Sequence, residues 1–263
     1  MIDIADNFGI CALSIVPVRA EAAQQGEIIN QLLFGDVYTV LRFSEDHKWI
    51  NISSAFDDYK GWIEVKQHRP VNRSYFETVK SSNFPVCKDL IGLVRGKNRF
   101  FPIVFGSTLP YYESGFIMLG DEQYIFEGKA GLIEKSSYKV IEAIARHYLS
   151  APYLWGGKTH FGIDCSGFVQ QVFRLSGYSL PRDSMHQAEA GTEVSIQELI
   201  PGDLAFFKNA HGNIIHVGIA MEHRQIIHAS GEVRIDLLDD KGIFNESTNS
   251  YTHRLASVRR ILK

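Results

Sequence analysis

Residues 136–184 read SSYKVIEAIARHYLSAPYLWGGKTHFGIDCSGFVQQVFRLSGYSLPRDS, and the periodicity inside this stretch decides the fold. Ser136 and Ser137 precede YKVIEAIARHYLS, where Val140, Ile144 and Tyr148 recur at helical spacing behind a Ser cap. A second helix is predicted over Ser166 to Ser176, with Val169, Val172 and Phe173 on one face and Gly177 as its stop. Cys165 therefore stands at the start of a helix. Downstream, GDLAFFK, HVGIAM, QIIHAS and HRLASVRRIL read as strands, so residues 136–263 run helices first and antiparallel sheet second, an α+β arrangement.

Upstream the period changes. ICALSIVPVR, EIINQLLFGDVYTVLRF, HKWINISS and KGWIEV are short β-rich runs between Ile10 and about Val71, punctuated at Gly35-Asp36 and in Asp57-Asp58-Tyr59-Lys60-Gly61-Trp62. Residues 1–71 are expected to form a small barrel whose thin core leans on a neighbour. Between residues 72 and 135 the same grammar recurs in FFPIVFGSTLPYY, GFIMLGDEQYIFEG and AGLIEK, which predicts a second, more degenerate barrel. The expected plan is multidomain α+β, with β-barrels at 1–71 and 72–135 ahead of an α+β domain at 136–263.

Composition removes several classes of function. The 263 residues are 45% hydrophobic and 22% charged, which excludes disorder and coiled coil. Lys and Arg number 27 against 30 Asp and Glu, and no basic run occurs, so no nucleic-acid partner is expected. The opening MIDIADNFGICALSIVPVR has no basic n-region, carrying Asp3 and Asp6 instead, and no segment approaches the ~18 apolar residues that span a bilayer. A cytoplasmic protein without a membrane partner is expected, or an extracytoplasmic one if a leader has been removed. Cys11, Cys87 and Cys165 are odd in number and widely spaced, which argues against a disulfide framework and against a paired-cysteine zinc site.

The three thiols separate on local context. A cysteine at a helix N-terminus meets unpaired backbone N–H groups and the positive end of the macrodipole, both of which favour thiolate. Cys165, flanked by Asp164 and Ser166, has that setting, whereas Cys11 and Cys87 sit in apolar β-like runs and read as inert core residues. In HVGIAMEHRQIIHAS, a hairpin turning about residue 222 places His216 directly opposite His228, with Cβ atoms roughly 4.5–5.5 Å apart. Alternation puts Gly218 and Ala220 on the His216 face, leaving room for a helix end. Nucleophile, base and a third group that fixes the base would then be Cys165, His216 and His228. The remaining histidines, His253 among them, read for the most part as structural or surface residues. Gly157-Lys158-Thr159 is no phosphate loop, since the position five residues before Gly157 is Pro152. A catalytic zinc held by Cys165, His216 and His228 is the second reading.

Pro152-Tyr153-Leu154-Trp155-Gly156-Gly157, Asp164-Cys165-Ser166-Gly167-Phe168, Pro201-Gly202-Asp203-Leu204, His216-Val217-Gly218-Ile219 and Ile227-His228-Ala229 occur in this order across residues 137–263. In these motifs the chain resembles the NlpC/P60 family of cell-wall cysteine peptidases, papain-like domains often preceded by bacterial SH3-like barrels. The two upstream barrels resemble the SH3-like modules of the subgroup that cleaves γ-D-glutamyl-diamino acid bonds in murein peptides. The resemblance implies Cys165 as nucleophile, His216 as base and His228 as orienting residue, with Tyr153 beside the Cys165 N–H as oxyanion donor. It also implies that a free L-Ala ammonium is held by Asp183, Ser184, Asp164, Ser166 and Trp155, with Glu27 and Tyr59 from the first barrel and Glu21 as a rival to Glu27. A buried ammonium needs such carboxylates, because its desolvation is otherwise costly.

Together these readings lead us to expect a monomeric cysteine endopeptidase that needs no cofactor or metal and acts on L-Ala-γ-D-Glu-diamino acid peptides during cell-wall peptide recycling. A catalytically silent wall-peptide-binding protein is the alternative.

Overall fold

The computed structural model describes residues 7–262; Asp3 and Asp6 lie outside them. The chain divides into two compact units, Met1–Ile133 and Glu134–Lys263. No helix among the described residues is long and apolar enough to cross a membrane.

The first unit opens with seven strands, β1 (Phe8–Ile10), β2 (Ile15–Arg19), β3 (Ile28–Leu33), β4 (Val37–Phe43), β5 (Trp49–Ser54), β6 (Lys60–Glu64) and β7 (Arg69–Pro70), in the order β3-β2-β6-β5-β4-β1-β7. Alternation selects the buried face: Val16 and Val18 of β2 and Ile50 and Ile52 of β5 join Cys11, Leu32, Tyr38 and Ile63 in a small core.

Next comes a helix, α1 (Arg73–Ser81), where the sequence reading expects only strands. Asn72 caps it by accepting from the Tyr75 N–H at 2.8 Å, and Tyr75, Phe76 and Val79 form its buried face. The chain continues through β8 (Val86–Cys87), β9 (Ile91–Arg95), β10 (Phe100–Val104), β11 (Phe116–Leu119), β12 (Glu122–Glu127) and β13 (Ala130–Gly131). Four of these form a sheet ordered β10-β9-β12-β11, and β8 pairs separately with β13. Besides the small core of the first sheet, the two sheets share a second one. Ile10, Phe34 and Val37 from the first meet Val94, Ile103, Ile117 and Phe126 from the second in one cluster, with Tyr75, Phe76 and Val79 of α1 in the same cluster.

The second unit begins with α2 (Tyr138–His147), whose buried residues are Ile141 and Ala145, followed by Tyr148 at the C-cap. Val140, expected on the inner face, is exposed, so the buried stripe is turned by about one residue. Two short strands, β14 (Lys158–Thr159) and β15 (Gly162–Ile163), lead into α3 (Cys165–Leu175) and the single turn α4 (Ser184–Gln187). The remaining strands are β16 (Thr192–Val194), β17 (Leu204–Lys208), β18 (Ile214–Ala220), β19 (Gln225–Ser230), β20 (Glu232–Leu238), β21 (Gly242–Asn245) and β22 (Ser250–Arg260).

They form a sheet ordered β16-β22-β17-β18-β19-β20-β21, with a further pairing between β21 and β22. The eleven-residue β22 makes this possible: its first half pairs with β21, its second half with β17. Six strands, β17 to β22, thereby close into a ring. Helix α3 packs on β18 and β19, which brings its N-terminus against the histidine-bearing hairpin.

Candidate active site

Local sequence places the sulfur. Asp164 is the N-cap of α3, and its Oδ1 accepts from the Gly167 N–H at 2.7 Å, so Cys165 occupies the first helical position. Gly167 is required there because a side chain would strike the Gly157 carbonyl. The backbone N–H groups of Val217 and Ser166 act on the Cys165 thiol, which sets the sulfur beside the His216 peptide.

The thiol nonetheless does not behave as the helix terminus alone predicts. Burial and the neighbouring Asp164 carboxylate push it up to about 12, against the pull of those two N–H groups and Arg182. Desolvation of the charged form outweighs the favourable dipole. Cys11 is pushed up by burial, and Cys87 to about 11, and both lie in the apolar clusters of the first unit.

His216 and His228 are hydrogen-bonded, His216 Nε2 to His228 Nδ1 at 2.8 Å, and both are buried. They are not directly opposed. The register pairs Gly218 with His228, Ile219 with Ile227 and Ala220 with Ile226, so the histidines meet along a diagonal. The turn is one residue later than expected because Glu222–Arg224 form a tight turn in which His223 and Arg224 both have left-handed φ, closed by the Met221 N–H on the Gln225 carbonyl. Gly218 makes the diagonal reach possible, since a Cβ there would lie 2.9 Å from that of His228.

The histidine pair continues into residues that the sequence reading misses. His228 Nε2 stands 3.0 Å from Asp236 Oδ2. The other carboxylate oxygen accepts from Arg234 Nη2 at 3.0 Å and Asn245 Nδ2 at 3.3 Å. Burial alone would raise the Asp236 carboxyl, yet the hydrogen bonds from His228 and Arg234 hold it below its ordinary value. His253, expected to be merely structural or superficial, stacks on His216 with ring centroids 4.1 Å apart. It comes from β22, where the strand passes from pairing with β21 to pairing with β17. Burial and the neighbouring His228 and His253 depress His216 well below the usual imidazole range, and burial takes His253 down to about 4. Both shifts favour the neutral thiol and neutral imidazole over the ion pair.

A zinc reading fits this donor set poorly. Ring nitrogens of His216, His228 and His253 lie within 4.8 Å of one another. The His216 and His253 rings, however, lie nearly parallel at 24°, which does not converge their lone pairs, and both nitrogens of His228 are already bonded.

Tyr153 lies in reach of the same centre: its phenol is pushed up by burial first and then by Cys165 and Asp164. Trp155 is exposed. Asp164 and Ser166, expected near an ammonium, are buried and bonded to Arg182. Arg182 Nη1 and Nη2 grip the two Asp164 oxygens at 2.9 and 2.6 Å, and Nη1 also donates to Ser166 Oγ at 2.9 Å. The Gly156 N–H occupies Asp164 Oδ2 as well, at 2.8 Å. This carboxylate is a brace that ties the 156–157 loop, the start of α3 and the 180–184 segment together. Asp183, by contrast, keeps about 40% of its side chain exposed, 3.8 Å from His186, and Ser184 begins α4. Gln187 fixes α4 to the start of α3 by donating to the Ser166 carbonyl at 3.0 Å. Glu27 and Tyr59 belong to the first unit, Glu27 exposed just before β3 and Tyr59 half-buried just before β6; Glu21 is exposed.

Residues 150–254 match the NlpC/P60 family, and residues 18–67 match the bacterial dipeptidyl-peptidase SH3 domain. The chain is 29% identical over 222 residues to a gamma-D-glutamyl-L-lysine dipeptidyl-peptidase of Bacillus subtilis, covering 77% of this chain and 72% of that protein. It is 49% identical over 81 residues to a probable endopeptidase NlpC of Escherichia coli, covering 30% of this chain and 53% of that one. Among solved structures, an NlpC/P60 family protein from Bacillus cereus superposes with a TM-score of 0.83 at 18% identity, covering 97% of this chain and all of the other, a likeness of fold.

Proposed function

The chain carries an NlpC/P60 family cysteine peptidase domain behind a bacterial dipeptidyl-peptidase SH3 domain, and from that premise we propose that it hydrolyses the γ-D-glutamyl-diamino acid bond of murein peptides with a free N-terminal L-Ala. The observation that carries this reading is the run from Cys165 at the first position of α3, with the Val217 N–H on its sulfur, to the 2.8 Å bond between His216 and His228. The gamma-D-glutamyl-L-lysine dipeptidyl-peptidase name of the Bacillus subtilis relative supports the substrate class.

In the proposed reaction His216 takes the Cys165 proton as the sulfur attacks the γ-glutamyl carbonyl carbon. The oxyanion is met by the Cys165 backbone N–H, which in the first turn of a helix has no intrahelical acceptor, and by the Tyr153 hydroxyl. Collapse expels the diamino acid amine, which takes its proton from His216, and leaves a thioester. Water, deprotonated by His216, hydrolyses that thioester and restores the thiol. For the substrate ammonium, Asp183 is the better of the two candidate carboxylates in this unit, because Arg182 already neutralises Asp164. Release of the L-Ala-γ-D-Glu dipeptide suits a role in recycling cell-wall peptides.

The test is hydrolysis of L-Ala-γ-D-Glu-L-Lys and its diaminopimelate counterpart by the full chain and by Cys165→Ala. Loss of turnover in the variant is expected, and full retention would overturn the mechanism. Acetylating the L-Ala amine should suppress turnover; equal rates would remove the free-amine requirement and Asp183 with it.

A further inference from the structure

The reading above needs His216 to present a lone pair to the thiol, and nothing in a pair of hydrogen-bonded imidazoles by itself decides which nitrogen carries the proton. A neutral imidazole has one N–H donor and one acceptor nitrogen, so a bond between two of them runs in either direction. The wrong direction puts the His216 proton on Nδ1 and leaves no base for Cys165.

We propose that Asp236 is a positioning residue that fixes the tautomers of both histidines. The inference rests on the assignment of His216 as base and extends it by one residue. A carboxylate offers only acceptors, so the 3.0 Å contact to His228 Nε2 requires the proton on that nitrogen. His228 Nδ1 is then the acceptor nitrogen, and the 2.8 Å bond to His216 Nε2 must be donated by His216. With its proton on Nε2, His216 has its lone pair on Nδ1. One charge, two residues removed from the sulfur, thus sets the direction of every bond in the chain.

The surroundings of Asp236 hold its orientation. Oδ1 accepts from Arg234 Nη2 and Asn245 Nδ2, and Arg234 Nε lies 2.9 Å from Oδ2. These donors face Asp236 from its own strand β20 and from β21; from β19 it meets His228, and His253 on β22 also feels its charge. They dictate what Asp236→Asn would do. Arg234 Nε makes no hydrogen bond to Oδ2, whereas both donors on the Oδ1 side do bond there and retain the amide oxygen, so the amide NH₂ is turned towards His228 Nε2. A donor in that place demands a lone pair on Nε2, which moves the His228 proton to Nδ1 and reverses the bond to His216. The base loses its lone pair while every ring stays in place.

The experiment reads tautomers directly, by long-range ¹H–¹⁵N NMR of the full chain labelled at histidine. In the wild type, His216 and His228 are both expected to carry their protons on Nε2. A proton on His216 Nδ1 in the wild type would overturn the proposal whether or not any variant folds. In Asp236→Asn both protons should shift to Nδ1. Turnover should then fall by about 100- to 10,000-fold in kcat, the range general-base catalysis supplies, with KM within about threefold. Iodoacetamide alkylation of Cys165 at pH 7 should slow in parallel. A variant that folds and keeps kcat within about threefold of wild type, or keeps the Nε2 proton on His216, would overturn it. The NMR and alkylation arms need no substrate. A wild type that hydrolyses no murein peptide yet shows the stated tautomers would count against the peptidase reading alone.

Discussion

Gly218 lies directly across the hairpin from His228, and it is the absence of a side chain at 218 that lets the His228 ring lean two residues along the strand to His216. A methyl group there would press on Ile226 at 2.7 Å and on His228 Cβ at 2.9 Å. Neither neighbour has room to retreat, because both are buried: Ile226 packs with Ala205, Phe207, Leu238 and Ile243, and His228 is bonded to His216 and Asp236. Gly218→Ala is expected to cost about 1–3 kcal/mol by overpacking and to lower kcat more than it raises KM. Urea unfolding beside steady-state kinetics checks both halves, and an active, fully stable variant would show that the diagonal tolerates the carbon.

The buried brace of Asp164 and Arg182 predicts a larger loss. Arg182→Met removes the cation and leaves a carboxylate inside the fold with only backbone and hydroxyl donors, a change that typically costs about 3–5 kcal/mol. Since Asp164 also caps α3 and holds the Gly156 N–H, thiol placement should suffer with stability. Thermal melting and alkylation kinetics measure the two effects, and a variant melting within a degree or so of wild type would contradict the assigned role.

The protonation states at the centre fix the pH behaviour of the thiol. Because burial raises Cys165 and depresses His216, the neutral pair is favoured over the ion pair. Without substrate, alkylation of Cys165 should therefore be slow at pH 7 and climb steadily through pH 9 and beyond. A thiolate–imidazolium pair would instead give a fast, flat rate near neutrality. Stopped-flow alkylation from pH 5 to 10.5 separates the two, and a plateau beginning below pH 7 would sink the neutral-pair description.

His253 carries a stability signature. Its folded form resists protonation down to about pH 4, whereas the unfolded chain takes up a proton near 6.5. Stability is thus expected to be full above about 6.5 and to decline as the pH falls towards 4, the unfolded state binding the extra proton. His216 adds to the same slope, since its folded form is depressed as well. Replacing the ring by His253→Gln should flatten the fall in melting temperature over that window. An unchanged slope would mean that burial does not hold His253 neutral.

Much of this centre was legible before any coordinate. Cys165 stands out in the sequence beside a helix read over Ser166 to Ser176, and the structure starts α3 one residue earlier, at Cys165 itself. The two histidines were legible as a hairpin pair, but the register was off by two residues because the left-handed backbone at His223 and Arg224 adds length that no residue type there announces. The same counting applied to the turn at Gly231 sets His228 opposite Arg234 and reaches Asp236 on the shared face, so that residue had a sequence signal. His253 had none, since it depends on β22 changing partners in mid-strand, a long-range event. The raised thiol was also out of reach: helix position can be read locally, while burial is a property of everything packed around it. In the first unit, Asn72 with Tyr75, Phe76 and Val79 spelled a helix inside a stretch dominated by strand patterns.

The double pairing of β22 has a further consequence, for solubility. A sheet with a free border offers unpaired N–H and C=O groups on which another chain can build. Here β22 is engaged by β21, β17 and β16 and the ring from β17 to β22 returns on itself, which shortens the border of that sheet, and one part of it is the three-residue β16, with Glu193 paired to Arg259 along it. Strands as apolar as Leu204–Phe207 and Ile226–Ile227 are thereby kept from acting as templates for aggregation.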